Sequence, residues 1–133
     1  MEDVGAKAEE VIQGLVYKDN RGRDKIDLTT GQIRKVLTAI NALTNKITVY
    51  AAQNENVEEL SENLAAEVRY LKVKIAYRVG RDKARGNPVN NFVDRAELFK
   101  RIDAVGTNIR RYEEFARFVE ALVAYHKFYG GRD

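Results

Sequence analysis

The sequence predicts an all-α protein, a compact bundle of about five helices in a single domain, and three observations carry that prediction. Apolar residues recur at steps of three and four through most of the chain, the spacing of a helix with one buried face. There is one proline in 133 residues, so long helices run without interruption. No stretch alternates apolar and polar residues in the way a half-buried strand requires.

The first helix is expected over residues 4–17, with Val11, Ile12, Leu15 and Val16 on its apolar face. It is short and weakly marked at its start, so it reads as a weakly packed element. Residues 18–28 are charged and contain glycine, which reads as a mobile loop. Thr29 followed by Gln32 is a capping-box pattern that opens a second helix. Ile33, Val36, Leu37, Ile40, Leu43 and Ile47 hold one face of it as far as about residue 52. Asn56 with Glu59 repeats the cap pattern, and the third helix is expected over residues 57–83. Its ladder is Val57, Leu60, Leu64, Val68, Leu71, Ile75 and Val79.

Gly86, Asn87 and Pro88 end that helix and begin a fourth, with Asn87 as cap and Pro88 at the first helical position. The fourth is expected over residues 89–105, burying Phe92, Ala96, Phe99 and Ile102. A break at residues 106–108 leads to an aromatic last helix over residues 109–129, closed by Gly130 and Gly131.

Composition narrows the function. The chain is 44% hydrophobic and 32% charged, the balance of a surface-charged globular protein. It has no cysteine, which excludes disulfides, thiol catalysis and thiolate metal sites. No run nears the ~18 apolar residues that span a bilayer. The acidic start, Glu2 and Asp3, lacks the basic opening of a signal peptide, so a cytoplasmic setting with no membrane is expected.

Catalytic groups are sparse. His126 is the single histidine and lies in the apolar last helix, where a packed structural role is expected. Ser61 is the single serine and stands among charged residues. Glu58, Glu59 and Glu62, and Glu113 with Glu114, lie outside the apolar ladders and read as solvated faces. No phosphate-binding glycine loop is present. The chain is therefore read as no enzyme, with no cofactor and no metal.

Charge is more informative than chemistry. The net charge is only +3, but residues 69–85 carry seven positive side chains against Asp82 alone, a local +6 that leaves −3 for the rest. Projected at about 100° per residue from Arg69, the buried face of Leu71, Ile75 and Val79 falls between about 200° and 280°. Lys74, Arg78, Arg81 and Arg85 fall between about 120° and 180°, one continuous row spanning roughly 16 Å of helix. Tyr70 and Tyr77 lie along its outer edge. Solvated helix faces interleave opposite charges, and a row of like charge is self-repulsive. Such a row matches successive phosphates of a nucleic-acid strand, with tyrosines able to stack on bases. Arg34 and Lys35 make a smaller basic point at the start of the second helix. No Asn or Gln interrupts the row to read base edges, so backbone recognition without sequence preference is expected. An acidic protein surface remains the alternative partner, the chain then being a helical scaffold. A DNA-binding helix-turn-helix is disfavoured because no short turn feeds a polar recognition helix.

Three stretches carry a family resemblance: Thr29-Thr30-Gly31-Gln32-Ile33-Arg34-Lys35, residues 71–82 (LKVKIAYRVGRD) and residues 120–131 (EALVAYHKFYGG). In this order and spacing the chain resembles the small subunit of type III-A CRISPR effector complexes, the Csm small-subunit family. The similarity covers roughly residues 28–131, with residues 29–131 as the family-like core, and departs at Gly31, where serine is expected. The resemblance implies a non-catalytic subunit stacked in several copies inside a ribonucleoprotein. Its implied partners are the guide–target RNA duplex, the backbone and large subunits, and neighbouring copies of itself. It places Arg34, Lys35, Lys74, Arg78 and Arg81 in matched motifs as contacts to the target RNA strand. Tyr77, and Arg85 by extension of the row, complete the expected RNA-binding set.

Overall fold

The computed structural model describes residues 2–83 and 86–130. Helix α1 (Val4–Gln13) starts at Asp3, whose carboxylate accepts a hydrogen bond from the Ala6 backbone N–H at 3.0 Å. Ala8, Val11 and Ile12 are buried. The helix lies along the last one, where the Tyr129 hydroxyl donates to Glu9 at 2.6 Å and accepts from Gln13 at 2.8 Å. It is thus firmly seated rather than weakly packed. It also stops earlier than periodicity predicts, at Gly14, and Arg95 lies against that glycine; a Cβ there would sit 2.3 Å from the guanidinium.

The segment read as a loop contains a small antiparallel hairpin, β1 (Tyr17–Lys18) with β2 (Asp24–Lys25). Two-residue strands are too short to leave an alternation in the sequence. Ile26 and Leu28 follow it into the core.

Helix α2 (Thr30–Gln53) begins as predicted. The Thr29 hydroxyl accepts from the Gln32 N–H and the Gln32 side chain accepts from the Thr29 N–H, a complete capping box. Helix α3 (Glu62–Arg81) begins five residues later than expected and is capped by Ser61, not Asn56. Asn56 instead takes a left-handed φ of 61° in a turn, outside the helix. Residues 57–60 run extended beside the entry to the last helix: Leu60 N–H donates to Thr107 O and Ile109 N–H to Glu58 O. Val57 and Leu60 still face the core, so their spacing continued the helical ladder without the helix.

The predicted fourth helix is two, α4 (Pro88–Arg95) and α5 (Leu98–Val105). Glu97 breaks them with a φ of 53°. Arg101 stabilises the break, donating from Nε to Ala96 O at 3.1 Å while its guanidinium forks onto Glu2 and lies 3.8 Å over the Phe118 ring. Pro88 holds the first helical position and Asn87 the cap position, its carbonyl accepting from the Asn91 N–H, but Asn87 is left-handed and makes no side-chain cap bond. Phe92, Ala96 and Ile102 are buried; Phe99 is only partly so. Helix α6 (Ile109–Phe128) is capped by Asn108 and closed past Tyr129 by Gly130, whose φ is 96°. Gly131 lies outside the described residues. The fold is all-α, with six helices among the described residues in place of five.

Two buried contacts fix α2 antiparallel to α6. The Tyr112 hydroxyl is 2.8 Å from the Thr44 hydroxyl and 3.2 Å from Ile40 O, and burial raises its pKa to about 12. At the other end His126 Nε2 lies 2.7 Å from Leu28 O, with the ring 2% exposed. Replacing Tyr112 with phenylalanine is expected to cost about 1 kcal/mol, since it removes the hydroxyl and keeps the ring. A urea titration checks this as a lower midpoint at unchanged slope.

Candidate nucleic-acid interface

Helix α3 presents the basic row because its other face is committed. Leu64, Ala65, Val68, Leu71 and Ile75 are buried, and Val79 packs partly against the same core. Lys74 and Arg81 are therefore exposed and Arg78 half-buried. Tyr70 and Tyr77 are 55% and 60% exposed. Lys74 Nζ stands 6.0 Å from the Tyr70 ring centre and the Arg78 guanidinium 5.6 Å from that of Tyr77. Each tyrosine thus pairs with a cation of the row while leaving its ring accessible. Tyr70 matches Tyr77 in this arrangement, and its i,i+4 spacing to Lys74 was the signal in the sequence.

The cations divide into two groups. Lys7, Lys18, Arg23, Lys46, Lys72, Lys100 and Arg101 lie within 4.0 Å of carboxylates. Among the described residues, Arg34, Lys35, Lys74, Arg78 and Arg81 form no ion pair, and nine other lysines and arginines, Arg69 on the same helix among them, share that state. Lys72, in the same segment, turns away from the row to reach Asp103 at 2.6 Å. Asp82 is half-buried, with Oδ2 enclosed by protein, so the segment's one acid does not interleave the row.

The row itself is shorter than the projection gave. Helix α3 ends at Arg81, so the spacing that aligned Arg85 stops four residues before it. Arg85 lies outside the described residues.

Arg34 and Lys35 are exposed on the opening turns of α2. The Lys46–Glu67 pair, at 2.8 Å, marks the register of the antiparallel α2–α3 hairpin. Counting twelve residues back from Lys46 and twelve on from Glu67, about 18 Å of helix each, brings Arg34 level with Val79. The two predicted basic points thus stand at one pole of the bundle, where α2 begins and α3 ends. At the opposite pole residues 47–68 include five glutamates and no lysine or arginine, and Arg110 and Arg111 at the start of α6 stand beside them.

Other predicted groups have plain structural roles. His126 is enclosed and hydrogen-bonded to backbone. Glu59 accepts from the Thr107 hydroxyl across the junction of α3 and α6. Among the described residues no three His, Asp or Glu converge as metal ligands, and no helix is long and apolar enough to cross a membrane.

Residues 8–132 match the family model described as Csm2 Type III-A. The chain belongs to the Csm2 type III-A family. The match begins inside α1, well upstream of the stretches that carried the resemblance. Relatives named CRISPR system Cms protein Csm2 are similar over nearly their whole lengths. That of Enterococcus italicus is 36% identical over 135 residues, covering 97% of this chain and 90% of the relative. That of Streptococcus thermophilus is 35% identical over 96% of this chain and 91% of the relative. That of Mycobacterium tuberculosis is 34% identical over all of this chain and 97% of the relative.

The difference in pairing has a chemical readout in this Csm2-family chain. Lys35 and Lys74 are expected to react faster with an amine-acylating reagent than Lys46 and Lys72, whose ammonium groups are held by carboxylates. Peptide mass spectrometry after brief labelling gives the order.

Proposed function

We propose that the chain is a non-catalytic RNA-binding subunit of a type III-A CRISPR ribonucleoprotein, working in the cytoplasm. In this reading several copies stack along the particle, beside its backbone and large subunits, and hold the target strand of the guide–target RNA duplex. The observation that carries it is the row of Lys74, Arg78 and Arg81 on one face of α3, unpaired while Lys72 on the same helix is neutralised by Asp103. Family membership makes the polyanion a CRISPR RNA assembly; the row supplies the means of holding it.

Lys74, Arg78 and Arg81 contact phosphates, and Arg34 and Lys35 extend the contact from α2. Tyr77, with its exposed ring beside Arg78, stacks on a base or lies against a sugar. Lysine and arginine at helical spacing meet backbone oxygens whatever the base, so recognition is independent of sequence, which pairing with the guide already provides.

Alanine replacement of Lys74, Arg78 and Arg81 together is expected to weaken RNA binding and flatten its salt dependence by roughly 0.7 per lost phosphate contact. Replacement of Lys72, already paired with Asp103, is expected to leave the slope unchanged. Fluorescence anisotropy with labelled oligouridine over a salt series measures both. An unaltered slope in the triple variant rejects the row as the RNA contact. If the isolated protein shows no salt-dependent affinity for RNA yet still co-purifies with a protein partner after nuclease treatment, the result favours an acidic protein surface instead.

A further inference from the structure

The segment between α1 and α2 is a built hairpin whose turn is organised by one carboxylate. Asp19 Oδ1 accepts from the Arg21 N–H at 2.8 Å and the Arg23 N–H at 2.9 Å, and Oδ2 lies 3.4 Å from Arg23 Nε. Backbone bonds close the same turn: Asp19 N–H donates to Arg23 O, and Gly22 N–H to Asp19 O. Gly22 takes a φ of 75°, open to glycine at little cost. The Arg23 N–H bond is the main cause of a lowered Asp19 pKa, so the carboxylate is charged at neutral pH.

The hairpin holds four cations, and its two acids engage two of them. Lys18 pairs with Asp24 at 2.8 Å and Arg23 with Asp19. Arg21, exposed at the turn, forms no ion pair among the described residues. The base of the hairpin is fixed. Ile26 and Leu28 are buried, the Tyr17 hydroxyl donates to Asp27 at 2.6 Å, and Leu28 O meets His126. Leu28 immediately precedes the α2 cap, so the hairpin rises from the pole that carries Arg34, Lys35, Arg78 and Arg81.

We propose that this hairpin is a second contact for the RNA backbone, with Arg21 as its phosphate ligand and Asp19 as the residue that positions it. The proposal rests on the RNA-binding reading above and extends the contact surface beyond α2 and α3. It makes a prediction opposite in sign to simple charge counting. Removing a carboxylate near a polyanion tightens binding if the hairpin is a bystander, but loosens it if the carboxylate holds Arg21 in place.

The test uses the full chain and labelled oligouridine in anisotropy titrations over a salt series, with far-UV circular dichroism to confirm that each variant is folded. Arg21→Ala is expected to lower the salt slope by roughly 0.7, one phosphate contact. Asp19→Ala is expected to bind more weakly than the parent protein despite its greater positive charge. An unchanged slope in R21A, or tighter binding in D19A, overturns the proposal. The underlying reading fails separately, if the parent protein itself shows no salt-dependent binding.

Discussion

The antiparallel seating of α2 on α6 is the constraint on which the rest of the bundle depends. It is pinned at two buried polar points, the Tyr112–Thr44–Ile40 contact near one end and the His126–Leu28 contact near the other. Apolar packing alone is tolerant of sliding by a turn, because hydrophobic contact has no direction. A buried hydroxyl and a buried imidazole are not tolerant, since a shift would leave each without a partner in a low-dielectric interior. With α2 held in this way, α3 and α5 pack their apolar faces on the same core, and Lys46–Glu67 and Lys72–Asp103 mark the resulting registers at the surface. The position of each basic side chain at the pole follows from those registers.

Much of this was legible in the sequence, for reasons that differ by element. The start of α2 could be read because a capping box is a local chemical pattern with its own energy. The α3 face could be read because the four residues Leu64, Val68, Leu71 and Ile75 span it without interruption. The start of α3 was missed because residues 57–60 keep apolar spacing while forming bridge hydrogen bonds to a loop almost fifty residues away. Long-range pairing of that kind leaves no mark on local periodicity. The division of α4 from α5 was hidden for a related reason. Glu97 adopts its left-handed backbone through support from Arg101, Glu2 and Phe118, which come together only in the fold.

The candidate site shows the same division. Which cations form a row was readable from helical projection, and Lys74, Arg78 and Arg81 stand as the projection places them. Which cations are free was not readable. Lys72 and Lys74 are indistinguishable as residue types, yet one meets Asp103 on α5 and the other meets only the ring of Tyr70. The hairpin was misread for want of any periodic signal, because its order comes from Asp19 bonding to backbone two and four residues ahead.

The separation of charge between the two poles also bears on the speed of encounter. A net charge of +3 describes a weak attractor, but the α2–α3 pair holds its cations toward one end and five glutamates toward the other. In the field of a polyanion such a body is turned as well as drawn, so diffusional approaches arrive with the basic pole leading. The orienting torque acts within a screening length of about 10 Å at 0.1 M salt. Association would then slow with added salt through misoriented collisions, in addition to any loss of affinity once bound.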